Sequence, residues 1–226
     1  LMTWGVTKAA AVLLGLAALG FGGWSFATGW HPPADQYPLQ GIDLGRNPPP
    51  VEWGTVRARG ADFAYVVATV GAKVRDPQFE RNWAALPDAG LRRGAVHLYS
   101  LCQLASDQAN AFNTFVPRTK DALPAAVAVE FSDDCTARPE RSVLIGEVAR
   151  FIAMVETHTR KPVLLRVSKS VENEYRLSAS INRPVWAMAN VFPPAYAAHP
   201  WRMWRASDFR RVDGIEGPVN WDVVAP

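Results

Sequence analysis

The sequence is poor in charge, and its charged residues do not form clusters. Only 20% of the 226 residues are charged, and the formal net charge is +3. No run of lysine or arginine is interleaved with aromatic residues, so no nucleic-acid partner is predicted, and the small basic surplus predicts weak attraction to anionic surfaces. Repeats of about 20–50 residues and low-complexity tracts are also missing, which excludes a solenoid. The length fits one medium-sized domain with a short N-terminal appendage.

Cysteine is equally scarce, because the chain has only Cys102 and Cys135. Neither lies in a CxxC motif or a cysteine–histidine cluster, and no metal or organic cofactor is predicted. An even number of cysteines in an exported chain predicts a disulfide, which would stabilise the fold by roughly 3–4 kcal/mol in the chain-entropy model. Two unpaired buried thiols are the alternative.

An uncharged segment follows Lys8 and covers residues 9–30. It is long enough to cross a bilayer core, which takes about 20 apolar residues, and longer than the apolar part of a signal peptide, typically about 7–15 residues. We therefore predict an inner-membrane anchor with the N-terminus in the cytoplasm and the domain outside, in the periplasm or extracellular. Cleavage near the small-x-small sequence Ser25-Phe26-Ala27, which gives a secreted domain, is one alternative, and a buried globular helix is the other.

The remaining chain is predicted to be one α/β domain. Residues 31–38 contain three prolines and predict a linker, which divides the chain into an N-terminal segment of residues 1–38 and a domain of residues 39–226. Predicted strands cover residues 39–44, 63–69, 93–101, 125–131, 162–167, 184–189 and 202–206, and predicted helices cover residues 53–59, 76–89, 106–116 and 141–159. This alternation predicts a parallel sheet closed into an irregular (β/α) TIM-like barrel, preceded by one N-terminal transmembrane helix.

Several segments of the domain occur in the order and spacing of one enzyme family. They are Gln40-Gly41-Ile42-Asp43, Val51 to Val56, Phe63 to Gly71, Asp76-Pro77-Gln78-Phe79 with Asn82-Trp83, Gly94 to His97, Leu123 to Glu130, and Trp204 with Gly214-Ile215 and Val219. Together they resemble the glycoside hydrolase family 25 lysozymes, which cleave the glycan strands of peptidoglycan, over about residues 39–224. The resemblance implies a barrel whose site lies at the C-terminal ends of the strands, where barrel enzymes place their chemistry.

The resemblance also implies site residues. Glu130 would protonate the glycosidic oxygen and Asp43 would assist at the sugar, with both carboxyls converging on one groove. Glu130 follows an apolar strand, and a carboxyl in an apolar setting can keep the proton that a general acid needs. A salt-bridged strand-end residue is the alternative for Glu130, and a loop-capping aspartate is the alternative for Asp43. Substrate contacts would come from His97, Tyr99, Trp204, Asn220 and Asp222, although the apolar strand around His97 also favours a structural histidine.

Other positions depart from the family pattern. The aspartate two residues before the catalytic glutamate, which in a substrate-assisted mechanism orients the N-acetyl group of the substrate, is Ala128 here. Further departures are Val67, Val70, Val96, Arg205, Asn220 and the Gly45-Arg46-Asn47 stretch. Losing one well-placed group often lowers a rate by a factor of about 10²–10⁴. We therefore predict weak or absent activity unless Asp133, Asp134 or Asp222 takes the missing place.

Three functions are consistent with these features. The first is a muramidase that cuts the β-1,4 bond between N-acetylmuramic acid and N-acetylglucosamine, favoured by Asp43 and Glu130. The second is a non-catalytic descendant that binds cell-wall glycan or an envelope partner, favoured by Ala128, Val70 and Asn220. The third is a purely structural envelope domain. The predicted partners are peptidoglycan glycan and, through residues 9–30, the membrane, and the sequence indicates no protein partner.

Overall fold

The computed structural model describes the backbone of residues 2–226 and the side chains from residue 12 onward. The helices are α1 (Met2–Gly29), α2 (Trp53–Ala58), α3 (Phe79–Asp88), α4 (Ala105–Phe115), α5 (Arg141–Thr159), α6 (Lys169–Tyr175) and α7 (Leu177–Ser180). The strands are β1 (Gln40–Asp43), β2 (Phe63–Val70), β3 (Val74–Arg75), β4 (Arg92–Tyr99), β5 (Ala126–Val129), β6 (Leu164–Val167), β7 (Val185–Met188), β8 (Met203–Arg211) and β9 (Pro218–Val224).

Eight of the strands close into a barrel in the order β1-β9-β8-β7-β6-β5-β4-β2, and a parallel pairing of β1 with β2 completes the ring. The neighbours from β2 round to β8 are also parallel. Only β9 runs antiparallel to its neighbours in the ring, β8 and β1, and β3 is attached outside it to the end of β2. The predicted irregular (β/α) barrel is confirmed, and its irregularity is the antiparallel β9.

Side chains fill the interior of the barrel, as expected for a ring of this size. The rings of Tyr65 and Trp186 lie there with centroids 5.0 Å apart. Gly94 makes room for them, because a Cβ at that position would lie 2.2 Å from the Tyr65 ring. The other buried interior side chains are Phe63, Val67, Val96, Ala126, Ala128, Leu164 and Met203. The alanine that departs from the family pattern is thus part of an apolar barrel interior.

Helices cover the outside of the parallel strands. The longest, α5, has the predicted bounds, and its apolar residues recur at the spacing of one helix face. These buried residues are Leu144, Val148, Phe151, Ile152 and Val155. Helices α6 and α7, of 7 and 4 residues, were not predicted. The strand β9 was also not predicted.

The predicted disulfide is present. Cys102 lies in the loop after β4 and Cys135 in the loop after β5, with their Cα atoms 5.9 Å apart. Because β4 and β5 are parallel neighbours, both loops leave the barrel at the C-terminal ends of the strands. The disulfide therefore ties together two loops at the end of the barrel where the site is expected.

The N-terminal helix is apolar and largely exposed. Within the described residues, Val12–Gly29 is the one helical stretch long and apolar enough to cross a bilayer, a property that an N-terminal signal sequence shares. The segment of residues 31–38, predicted as a linker, lies against the barrel, because Gln40 Nε2 donates to the carbonyl oxygens of Pro32 and Tyr37, both at 3.0 Å. It contacts β8 and β9, because the Tyr37 ring lies edge-on to Trp204 and the His31 ring lies beside Trp221.

Candidate active site

The two predicted catalytic carboxyls lie at the C-terminal mouth of the barrel and share one arginine. Asp43 is the last residue of β1, and Glu130 follows the last residue of β5. Arg166, on β6, donates from Nε to Glu130 Oε1 at 3.0 Å and from Nη1 to Asp43 Oδ1 at 3.1 Å. Both carboxyls are thus within hydrogen-bond distance of one guanidinium. The two carboxyls are therefore neighbours, whereas their convergence on one groove and their catalytic roles stay predictions.

Asp43 is enclosed, with 1% of its surface exposed. Arg205 donates to it from Nε to Oδ2 at 2.8 Å and from Nη2 to Oδ1 at 2.7 Å, and Asn220 Nδ2 donates to Oδ1 at 3.1 Å. Burial would raise the pKa of Asp43, but the guanidinium groups of Arg205 and Arg166 outweigh it and hold the pKa below its usual value. Asp43 is therefore an ionised carboxylate whose oxygens already accept hydrogen bonds from the protein.

Asp222 lies deeper in the barrel, two residues beyond Asn220 along β9, and is fully buried. Trp186 Nε1 donates to Asp222 Oδ1 at 2.8 Å, while Oδ2 has no hydrogen-bond partner among the described residues. Burial, and then the negative charge of Asp43, raise the pKa of Asp222 well above its usual value. The pKa values of the two carboxyls are thus shifted apart, that of Asp43 downward and that of Asp222 upward, as expected for two carboxyls in one low-dielectric pocket.

Glu130 stands at the rim of a cleft, with 37% of its side chain exposed. The sequence predicted an apolar setting for this carboxyl. That expectation is wrong, because Arg166 pairs in register with Ala128 on the neighbouring strand and brings its guanidinium alongside Glu130. The salt-bridged alternative describes the surroundings of Glu130 correctly.

A cleft of about 490 Å³ opens beside Glu130 at the ends of β2, β4 and β5. Its floor is apolar and includes Ala128, and an exposed ion pair between Arg46 and Asp134, 3.3 Å apart, borders it. The cleft is also lined by Val70, Leu98, Tyr99, Gln103 and the disulfide formed by Cys102 and Cys135. Two acids thus line the cleft, the partly exposed Glu130 and the ion-paired Asp134, while Ala128 stands where the family pattern has a further acid.

Two of the predicted substrate-binding residues lie elsewhere. His97 is fully buried outside the barrel wall, its Nδ1 and Nε2 within 2.8 and 3.1 Å of Thr69 Oγ1 and Gln108 Oε1 and its ring stacked on Phe151. Burial lowers the pKa of His97 to about 4. Trp204 is also buried and donates to the carbonyl oxygen of Ala189. We leave both out of the candidate site, because the surrounding protein takes up their polar atoms.

The remaining predicted residues divide between cleft and interior. Tyr99 lines the cleft, Asn220 binds Asp43, and Asp222 is enclosed in the barrel. Among the three acids considered as replacements for the missing aspartate, Asp134 is the one that reaches the cleft, while Asp133 is exposed on the loop.

Two site residues, Arg166 and Arg205, were not predicted from the sequence. Arg166 stands in the apolar strand of residues 162–167, and a charge in such a strand requires a buried partner of opposite sign. That signal was available, but the partner could not be named without the barrel. Trp186 was also not predicted as a site residue. The centre of its ring lies 5.0 Å from the guanidinium carbon of Arg166.

Comparison with known proteins agrees with this geometry. Residues 42–215 match the model of glycosyl hydrolases family 25. The chain is 34% identical over 195 residues to the uncharacterized protein YegX of Escherichia coli K12, covering 83% of this chain and 70% of YegX. It is 26% identical over 210 residues to lysozyme M1 of Streptomyces globisporus, covering 83% of this chain and 68% of that protein.

Solved structures show the same fold. A family 25 glycosyl hydrolase from Bacillus anthracis superposes with a TM-score of 0.79 at 24% identity, over 87% of this chain and 93% of that chain. The bacterial lysozyme from Streptomyces coelicolor superposes with a TM-score of 0.74 at 23% identity, over 83% of this chain and 92% of that chain. The family match covers well over half of the chain, and the chain therefore belongs to glycoside hydrolase family 25.

Proposed function

We propose that this domain is a muramidase-type glycoside hydrolase that acts slowly on the glycan strands of peptidoglycan, with Glu130 as the general acid. The observation that carries the proposal is the position of Glu130, which combines partial exposure in a cleft with a fixed hydrogen bond from Arg166. Membership of the family supports the substrate class, and the similarity to lysozyme M1 points in the same direction.

In this proposal a single oxygen of Glu130 transfers the proton. Arg166 Nε occupies Oε1 of Glu130, so Oε2 is the atom left to donate a proton to a glycosidic oxygen in the cleft. Arg166 itself is positioned by its hydrogen bond to Asp43 and by its contact with the face of the Trp186 ring. A general acid needs its reacting oxygen within hydrogen-bond reach of the leaving group, and this support restricts where Oε2 can lie.

Low activity follows from the charges around the cleft. Glycoside cleavage passes through a transition state with oxocarbenium character, which negative groups stabilise. When Glu130 carries its proton, Arg166 and Arg205 face one ionised carboxylate, Asp43, so the local charge is positive. Ala128 supplies no negative group to offset it. Losing such a group lowers a rate by a factor of about 10²–10⁴.

Two features, Ala128 and the surroundings of Asp43, favour a second candidate function, which is glycan binding without cleavage. Ala128 removes the group that would orient the N-acetyl group, and Asp43 is occupied by three protein donors. Neither feature closes the cleft. A protein of this kind would retain cell-wall glycan without releasing new reducing ends.

One pair of assays separates the two functions. The protein, including α1, is incubated in detergent with insoluble peptidoglycan, and new reducing ends and co-sedimented protein are both measured. The proposal expects slow release of reducing ends that Glu130→Gln abolishes and that Asp134→Asn, at the border of the same cleft, leaves largely intact. Co-sedimentation without release, for wild type and Glu130→Gln alike, would favour binding alone.

We also propose that α1 holds the domain outside the cytoplasm at the inner membrane. Its length and exposed apolar surface support an anchor, and the disulfide supports an oxidising compartment. Cell fractionation combined with N-terminal sequencing tests this assignment. An intact N-terminus in the membrane fraction is expected, and a soluble form beginning after Ala27 would instead show cleavage.

A further inference from the structure

The C-terminal end of α1 is packed against the barrel. The Trp24 ring lies 5.8 Å from the guanidinium carbon of Arg211, at the end of β8. Thr28 is buried, and Trp30 packs against the barrel core. Because these contacts follow one another along the chain, α1 leaves the barrel at a defined place beside the end of β8.

This contact sets the depth of β8 relative to a bilayer that contains α1. Trp24 precedes the helix end at Gly29 by roughly 7.5 Å, at about 1.5 Å per residue. Tryptophan is enriched at the membrane–water interface. Arg211, in contact with Trp24, and its neighbour Arg210 would therefore lie at the level of the lipid headgroups.

Arg210 is a buried cation that lacks an anionic partner in the described part of the chain. It is 8% exposed, and its guanidinium carbon lies 3.6 Å from the centre of the Trp221 ring. Its Nε and Nη1 atoms have no hydrogen-bond acceptor among the described residues. Arg166, buried to a similar degree, donates to two carboxyls. Proteins normally pair buried charges, so the surroundings of Arg210 lack an anion.

We propose that Arg210 binds the phosphate of an anionic phospholipid headgroup at the point where α1 enters the membrane, and that the exposed Arg211 beside it adds attraction for the same anionic surface. The proposal requires α1 to lie in a bilayer and is independent of glycan cleavage. The end of β8 lies on the C-terminal side of the parallel strands, the same side as the cleft. Headgroup binding would therefore hold the cleft close to the membrane surface and give it access to glycan near the membrane.

The test uses the protein, including α1, in nanodiscs of phosphatidylcholine, with and without phosphatidylglycerol. The unfolding midpoint of the barrel is followed by tryptophan fluorescence as the phosphatidylglycerol fraction increases. For wild type the midpoint should rise with phosphatidylglycerol. Arg210→Gln should weaken the apparent lipid affinity about fivefold, the factor that one basic side chain near an anionic surface contributes. Arg81→Gln removes one exposed charge from α3, away from α1, and should leave the increase unchanged.

A second variant and a control with soluble phosphate complete the experiment. If Arg210→Gln does not fold, Arg211→Gln, at an exposed position, should show the same loss of lipid affinity. Inorganic phosphate added to phosphatidylcholine nanodiscs should not reproduce the increase. Equal midpoints for wild type in the two lipid mixtures would overturn the proposal. So would an increase that survives both arginine substitutions, or one that inorganic phosphate fully reproduces.

Discussion

Arg205 binds Asp43 in a bidentate manner, donating from Nε to Oδ2 at 2.8 Å and from Nη2 to Oδ1 at 2.7 Å. Asp43 is the first aspartate of the family pattern, and Arg205 stands where that pattern has glutamine. The substitution places a guanidinium on the carboxylate that was expected to assist at the sugar. In this chain Asp43 is thus part of a buried ionic network that reaches Glu130 through Arg166.

The first prediction concerns the stability of this network. Arg205→Ala leaves the buried carboxylate of Asp43 with fewer partners, and removing one member of a buried ion pair typically destabilises a protein by about 3–5 kcal/mol. We expect a loss of this size in the free energy of unfolding, measured by denaturant titration in detergent. Arg59→Ala breaks an exposed pair with Asp213 and should cost less than about 1 kcal/mol. Equal losses for both variants would argue against a buried network.

The second prediction concerns Asp222, whose pKa is raised in the folded protein. Between its unfolded pKa of about 3.9 and its higher folded pKa, the folded chain binds a proton that the unfolded chain has released. Its contribution to stability therefore falls as the pH rises through this window, by up to about 1.4 kcal/mol per pH unit. Asp43 behaves oppositely, since its lowered pKa gives stability that is present above about pH 3.9 and lost as the pH falls further.

Asp222→Asn isolates this effect, because asparagine keeps an acceptor for Trp186 and cannot ionise. The free energy of unfolding of wild type should fall relative to the variant as the pH rises from about 4 toward neutral. Buried His97 lowers the stability of both proteins in acid, since its folded pKa is depressed, so the difference between them is the quantity to measure. A constant difference across this pH range would show that Asp222 does not hold a proton.

The third prediction concerns the disulfide. Replacing Cys102 and Cys135 together with serine opens the loop between them and should destabilise the protein by roughly 3–4 kcal/mol in the chain-entropy model. The disulfide also forms part of the cleft wall, so glycan retention should weaken as well. Reductant added to wild type should lower the unfolding midpoint and leave that of the double serine variant unchanged. A midpoint insensitive to both changes would contradict this role.

The fourth prediction concerns recovery of activity. Ala128→Asp combined with Arg205→Gln restores two residues of the family pattern and replaces a surplus of positive charge by a negative group. We expect release of reducing ends from peptidoglycan to rise at least tenfold, a gain that can reach the factor of about 10²–10⁴ that one such group contributes. Ala128→Asn with Arg205→Gln has a similar volume without the charge and should gain much less. Equal rates for the two double variants would show that charge at position 128 is not what limits the reaction.

The sequence predicted the fold well because its signals were local and repeated. Strands such as Phe63–Val70 are continuous apolar runs, and α5 shows a clear helical period, so the alternation of strands and helices and the barrel followed. The antiparallel β9 was missed because its partners, β8 and β1, are set by barrel closure and not by any pattern within residues 218–224.

The site was predicted less completely, for a physical reason. Asp43 and Glu130 could be named from motifs, but the donors that bind them come from strands far away in the chain. Arg166 and Arg205 reach Asp43 across 123 and 162 residues of sequence. His97 was misassigned to the site for a related reason, since the inward or outward direction of a residue on a fully buried strand cannot be read from an apolar run.

The central claim is that Glu130 is the acid of a working glycosidase. The most direct measurement counts new reducing ends released from purified peptidoglycan over long incubation by wild type and by Glu130→Gln, prepared identically. We predict slow, linear release by wild type and none above background by Glu130→Gln. Equal release by both proteins would contradict this claim. So would the absence of release by wild type, when the double variant Ala128→Asp with Arg205→Gln is folded and also inactive.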